Sequence, residues 1–244
     1  MTAPFFHLKE TESTNLFMRK LSEGENLASG SVVLADLQTA GRGLYGNSWE
    51  SEGGKNLTFS VMLHPVDVSA NQLFVISEMV ALSIKQTLEK YFSDITVKWP
   101  NDIYYGEKKI AGILIENVLF DGKIVQSIVG IGINVNQTAF LSDAPNPVSM
   151  ALITGEYYDR MDLLGDFREI FAKQCERLNS LHFASIHNEY LNAIYRKDGF
   201  HKYQDAHGVF EACIDDIEPS GHLILKRTDG VISRYNFKEV MLIF

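Results

Sequence analysis

The stretch Gly41-Arg42-Gly43-Leu44-Tyr45-Gly46-Asn47-Ser48-Trp49-Glu50-Ser51-Glu52-Gly53-Gly54 decides how this chain is read. It follows a short β-branched run, Ser31-Val32-Val33-Leu34-Ala35-Asp36, that reads as a strand. Gly41, Gly43 and Gly46 satisfy the pattern G-x-G-x-x-G at that place. A dinucleotide fold needs a helix to open inside such a loop. Here the residues after Gly46 are polar and glycine-rich, and they lead into another strand, Leu57 to Leu63, stopped by His64-Pro65. No helix fits, so the doubly wound reading is rejected. An ordinary hairpin loop is one alternative. Glycines flanking an arginine favour another, in which backbone N–H groups approach an anion and Arg42 grips a carboxylate or phosphate with its fork of donors. Trp49 suits stacking on a base and a core or lid position equally well.

Working outward, Ser13 or Thr14 reads as an N-cap, with Leu16, Phe17 and Leu21 on the apolar side of the helix that follows. Ser69 caps a long helix to about Phe92, whose Leu73, Ile76, Met79, Val80, Ile84 and Leu88 recur at helical spacing. Ile95 to Trp99 is a strand, Tyr105-Gly106-Glu107 turns the chain, and Ile110 to Val118 returns it. Asp121-Gly122 is a hairpin signal between that run and Ile124 to Val135. Residues 138 to 148, with Pro145 and Pro147, read as a loop, and Asp159 to about Tyr195 as two helices. After Arg196 the composition changes, and from His207 short strand-like runs alternate with Pro219-Ser220-Gly221 and Asp229-Gly230. That tail is a small antiparallel barrel or sheet of about 45 residues, marginal unless docked. The class is α+β: a mixed, largely antiparallel sheet with helices over residues 1–196, then an all-β unit over 197–244.

The second informative segment is Lys98-Trp99-Pro100-Asn101-Asp102. A charge closing a strand is ordinarily solvated, Pro100 ends the ladder, and Asn101 and Asp102 are turn formers. Each residue alone says little, but the five together are specific. With the glycine loop they place an arginine, a lysine and a carboxylate beside an anion-holding backbone, the equipment for activating an acid with a nucleotide.

Bulk properties narrow the classes. A net charge of −9 over 244 residues argues against a nucleic-acid surface. No run approaches the roughly 20 apolar residues of a membrane span, and the first residues are not a signal peptide. Two cysteines, Cys175 and Cys213, lack metal or redox spacing and suit a reduced cytosol. His182 and His187 lie off the i, i+4 face that metal sites prefer, so no structural metal is assigned.

The chain resembles the biotin-protein ligases. The resemblance rests on Glu12-Ser13-Thr14-Asn15, Gln38-Thr39-Ala40-Gly41-Arg42-Gly43, Lys98-Trp99-Pro100-Asn101-Asp102, Lys109 through Glu116, and Gly130-Ile131-Gly132-Ile133-Asn134. It covers nearly the whole chain, and His207-Gly208-Val209 through Leu223 resembles the family's SH3-like cap. It implies a class II synthetase-like catalytic domain and a two-step reaction. The carboxylate of biotin attacks the α-phosphate of ATP to give biotinyl-5′-AMP and pyrophosphate, and a lysine of a biotin carboxyl carrier protein then attacks the mixed anhydride. It implies Lys98 and Arg42 as the fixed positive charge, and Asp102 as the group that orients or deprotonates the incoming lysine. Ser13, Thr14, Asn15, Gln38, Gly41, Arg42, Lys98, Gly112, Gly130 and Gly132 are implied for biotin. Arg42, Gly43, Trp49, Asn101, Lys109 and Asn134 are implied for the nucleotide, with Mg2+ on its phosphates. A monomer or a homodimer is compatible with the family.

Two departures are visible. The family loop usually reads Gly-Arg-Gly-Arg-x-Gly, and here the second arginine position is Leu44. That removes one clamp on the adenylate and predicts weaker retention of biotinyl-AMP. About a dozen residues precede the first motif, which leaves no room for a winged helix and predicts ligase activity without operator binding. The end, Phe237 to Phe244, matches only loosely. Lipoate-protein ligases and octanoyltransferases share the fold and the lysine-acylating logic; the complete Lys-Trp-Pro-Asn-Asp run favours biotin. A degenerate module that only docks carriers or small acids is the other rival, and the presence of both Arg42 and Lys98 speaks against it.

Overall fold

The computed structural model describes residues 3–141 and 146–243. Part of the expected 138–148 loop, including Pro145, lies outside them. The elements run β1 (Phe5–Thr11), α1 (Thr14–Gly24), β2 (Val32–Gln38), β3 (Leu57–Leu63), α2 (Phe74–Leu88), β4 (Ile95–Lys98), β5 (Asp102–Tyr105), β6 (Lys108–Phe120) and β7 (Lys123–Ile133). Then come α3 (Met150–Thr154), α4 (Arg160–Asn179), α5 (Phe183–Ala193), β8 (His201–Asp205), β9 (Gly208–Ile217), β10 (Leu223–Arg227), β11 (Ile232–Tyr235) and β12 (Met241–Leu242).

The first seven strands form one sheet in the order β1-β2-β3-β7-β6-β5-β4, antiparallel except for the β1–β2 pair. Strand periodicity assigns its faces. Val32, Leu34, Phe59, Val61, Leu63, Val129 and Ile131 point into the main core under α2, α4 and α5. Phe59 meets Phe167 edge-on at 5.1 Å, and Phe74 meets Tyr190 at 5.7 Å. The alternate residues Val33, Met62 and Ile128 meet Met18 of α1 on the other face. That second cluster is small, because α1 is one short helix on a wide sheet. The face it leaves uncovered carries Thr58, Ser60, Gly112, Gly130 and Gly132 in place of large apolar side chains, and the cleft lies there.

Several elements differ from expectation. β1 and α3 are elements that the sequence pattern does not announce, and β5 begins at Asp102, which reads as a turn former. The turn runs through the cis peptide Trp99–Pro100 and Asn101, and Asp102 pairs with Lys98 behind it and Gly112 beside it. Ser69 opens only a 3-10 turn over Ala70–Gln72, and α2 starts at Phe74 and ends at Leu88. Hydrogen bonds from the Tyr91 and Phe92 N–H groups to Leu88 O carry the coil a little further. The Asp121-Gly122 hairpin is as expected, with φ of 49° and 72° at its two central residues, the mirror-image turn that matches strand twist.

The last five strands form an antiparallel sheet in the order β11-β10-β9-β8-β12. Among the described residues no pairing joins β11 to β12, so what is seen is a second sheet rather than a closed barrel. It docks on the first unit through Ile217, Leu223 and Leu225 in the shared core, and through the Trp99 Nε1–H donating to Gly221 O at 3.0 Å.

Candidate functional site: a cleft on the open face of the sheet

The cleft measures about 220 Å³. One end is polar and neutral. The chain turns from β1 into α1 at Ser13, which stands at the N-cap position without capping through its side chain. Gln38, at the end of β2, does that work instead. Its Oε1 accepts from the Thr14 N–H at 2.7 Å and the Thr14 hydroxyl at 3.1 Å, serving one of the orphan donors of a helix start. Ser60 Oγ lies 2.8 Å from Thr14 Oγ1 and 2.6 Å from Asn15 Oδ1. Asn15 also donates to Leu114 O at 3.2 Å and to Glu116 Oε2 at 2.9 Å. Gly130 makes room for this amide: a Cβ there would stand 2.5 Å from Asn15 Oδ1. The result is a fixed set of hydroxyls and amides, able to donate to and accept from a small polar head group.

The glycine loop forms the roof. It folds back on itself through Gly43 N–H to Asn47 O (2.6 Å) and Trp49 N–H to Gly41 O (2.9 Å). Within it Leu44–Gly46 makes one 3-10 turn, with Tyr45 left-handed at φ 55°. This closed lobe returns Trp49 onto the sheet. Gly112 and Gly132 face each other across β6 and β7, and the indole lies on the pair. A Cβ on Gly132 would come within 2.3 Å of Trp49 Cε2, and one on Gly112 within 2.9 Å of Cζ3. Lys109 Nζ sits 5.5 Å above the Trp49 ring. Among the described residues the buried Trp49 Nε1–H finds no acceptor, a donor held ready inside the cleft.

Charge is arranged in pairs. Arg42 Nη2 lies 2.5 Å from Glu116 Oε1, which also takes Arg19 at 2.7 Å. Burial pushes the Glu116 carboxyl up, but the hydrogen bonds from Arg42 and Asn15 and the two arginine charges outweigh it and hold the carboxyl below its usual range. Lys109 Nζ pairs with Asp102 Oδ1 at 2.6 Å. Asn101 ties the turn to β6 by donating to Ile113 O at 2.8 Å and accepting from the Ile113 N–H at 3.0 Å.

The cleft brings together Ser13, Thr14, Asn15, Gln38, Arg42, Gly43, Trp49, Asn101, Asp102, Lys109, Gly112, Gly130 and Gly132. Three expected residues stand apart from its lining. Lys98 turns behind the turn, donating to Tyr104 Oη at 3.0 Å. Burial lowers its pKa, against the pull of Asp102. Gly41 is packed against the Trp49 carbonyl. Asn134 is buried, donates to Val148 O at 3.1 Å and accepts from the Met150 N–H, holding the start of α3. Sequence reasoning missed Ser60, Glu116, Tyr45, Phe237 and Lys238. The first was visible as a polar residue on the alternate face of β3. The last two come from the second sheet, and no local pattern points there.

A mixed sheet with a face only partly covered by a helix, a polar head-group end and a loop of arginine and tryptophan over paired glycines defines a small-molecule-binding α+β domain. The chain belongs to the biotin/lipoate A/B protein ligase family, whose model matches residues 8–134. It is 32% identical over 237 residues to the biotin-[acetyl-CoA-carboxylase] ligase of Paracoccus denitrificans, covering 91% of this chain and 94% of that protein. It is 29% identical over 217 residues to the bifunctional ligase/repressor BirA of Bacillus subtilis, covering 86% of this chain and 66% of that one. The chain therefore spans just under two thirds of the bifunctional relative. Among solved structures, the biotin protein ligase from Aquifex aeolicus in complex with biotin and ATP superposes with a TM-score of 0.79 at 27% identity, over 98% of each chain.

Proposed function

We propose that this chain is an ATP-dependent biotin-protein ligase that forms biotinyl-5′-AMP, releases pyrophosphate and passes biotin to a lysine of a biotin carboxyl carrier protein. The observation that carries this reading is the continuity of one cleft. The Thr14–Gln38–Ser60–Asn15 cluster stands at one end, and Trp49 with Lys109 over the Gly112–Gly132 platform at the other. A ring with donors and acceptors suits the first end, and a nucleotide suits the second.

The chemistry required is the meeting of two anions. Arg42 answers that need, because a ligand carboxylate or phosphate entering beside it competes with Glu116 for the same guanidinium. Lys98 joins it if its ammonium swings from Tyr104 toward the cleft. Asp102 orients the attacking carrier lysine once Lys109 has turned to phosphate. Magnesium would travel with the nucleotide. Among the described residues Asp102 is the one carboxylate in the cleft lining, too few for a protein cage, and magnesium ordinarily keeps most of its ligands from phosphate and water. We place residues 1–196 as the catalytic unit and 197–244 as an SH3-like cap, in a monomer or homodimer working in a reduced cytosol. The acidic balance supports ligase activity without operator binding; a sequence-specific DNA shift would contradict that.

A cysteine-dependent acyltransferase is disfavoured, since burial pushes the Cys175 thiol up to about 12, far from a reactive thiolate. The test is mass spectrometry of a carrier domain after incubation with the protein, magnesium ATP and biotin, with lipoate and octanoate in parallel. A biotin adduct on the carrier lysine is expected. Transfer of lipoate or octanoate instead would keep the lysine-acylating logic and overturn the pocket assignment. No adduct with a competent carrier would favour a docking module.

A further inference from the structure

Among the described residues three cations line the cleft, and two are already neutralised: Arg42 by Glu116 and Lys109 by Asp102. The third is Lys238, on the turn between β11 and β12 of the second sheet. Its Nζ lies 3.3 Å from the Tyr45 carbonyl oxygen and 4.9 Å from the centroid of the Tyr45 ring. Among the described residues no carboxylate pairs with it. Its backbone is left-handed, φ 68°, a conformation that suits glycine better than lysine. The aromatic ring of the neighbouring Phe237 packs on Trp99 at 5.2 Å and Tyr45 at 6.0 Å, so the turn is anchored against the glycine loop and the Trp99–Pro100 turn together. The loop itself carries a neutral Leu44 in the same lining. The turn after β11 thus brings an unspent positive charge to the proposed nucleotide end of a cleft whose glycine loop carries Arg42 as its one cation.

We propose that Lys238 binds the terminal phosphates of the nucleotide and holds the departing pyrophosphate. The inference rests on the reading of the cleft as a site for biotin and ATP. In the first step a carboxylate oxygen of the acid bonds to the α-phosphorus. The bond from that phosphorus to the oxygen bridging to the β-phosphate breaks, and pyrophosphate leaves with the electron pair. Negative charge gathers on the leaving group, where a positioned ammonium stabilises it. Arg42 and Lys109 must each surrender a carboxylate to reach phosphate, whereas Lys238 gives up only neutral contacts, the carbonyl and the ring of Tyr45.

The test separates the two half-reactions in the full chain. K238M removes the charge. K238G removes the whole side chain and fits the left-handed backbone, so it guards against misfolding. K238R is the rescue. Expected for K238M and K238G is an approximately tenfold rise in KM for magnesium ATP in biotin-dependent adenylate formation. A similar rise is expected in the pyrophosphate needed to reverse added biotinyl-AMP. Transfer from added biotinyl-AMP to a carrier domain, which bypasses the polyphosphate, stays at the wild-type rate, and K238R recovers most of the ATP dependence. Unchanged KM for ATP in both variants overturns the proposal. So does an equal loss in all three measurements, which would mark Lys238 as a structural prop for the glycine loop. A wild-type chain that forms no adenylate takes down the underlying reading together with this inference.

Discussion

Trp49 lies where any side chain on Gly132 would have to stand, so the smallness of two glycines and the position of one indole are a single fact. G132A is expected to push the ring off the platform. Overpacking of this kind costs about 1–3 kcal/mol, and the end of the cleft proposed for the nucleotide loses its wall at the same time. Thermal unfolding, with titration of ATP followed by Trp49 fluorescence in a W99F background, checks both effects. Leu44 is the second residue that matters at this scale. An arginine there would restore a phosphate clamp in the roof, so L44R is expected to slow release of biotinyl-AMP in a chase with excess biotin and ATP. Release at the wild-type rate would show that retention is governed elsewhere.

Among the elements, the start of α1 and the end of β2 depend on each other through Gln38. The helix has no cap of its own, and an amide from a strand supplies it. Q38A is expected to cost about 1 kcal/mol in urea unfolding, the usual worth of a lost cap, and to weaken biotin binding by disordering Thr14. An unchanged midpoint would mean that water replaces the amide without loss. The capping habit of Ser13 and Thr14 was legible in the sequence. That the acceptor comes from a residue 24 positions away was not, because capping rules are local and this contact is tertiary. The same holds for β5. Asn-Asp after proline reads locally as a turn, and Asp102 becomes a strand residue only because Lys98 and Gly112 are there to pair with it. By contrast β3 and the β6–β7 hairpin were readable outright, since alternation and an Asp-Gly turn carry their own geometry.

At the level of the whole molecule, an acid–base chain that runs from buried Glu78 to exposed Asp216 joins the helical layer to the second sheet. His187 of α5 lies 2.7 Å from Glu78 Oε1 of α2 and 3.0 Å from Asp216 Oδ1 of β9. The Glu78 hydrogen bond, with Glu78 and Asp216 charge, raises the His187 pKa against desolvation, and burial raises that of Glu78 despite His187. A histidine with a raised folded pKa stabilises the fold below its ordinary value of 6.5 and loses that contribution as pH rises through the raised one. Glu78 acts in the same sense, since its ionised form must be held in the core. The melting temperature is therefore expected to fall from pH 6 to pH 8, and to fall less in H187Q; equal slopes would show that the junction does not titrate. H187A, which leaves a buried carboxylate unpaired, is expected to cost about 3 kcal/mol at pH 7. The metal-site spacing test dismissed His187 from sequence, and its partners lie 109 and 29 positions away, so no reading of neighbours would have found them. The proposed activity needs one cleft to join a small acid to a nucleotide. Exchange of labelled pyrophosphate into ATP, with and without biotin, tests it most directly. Exchange that requires biotin is the predicted result; no exchange with folded protein, or exchange indifferent to biotin, would contradict it.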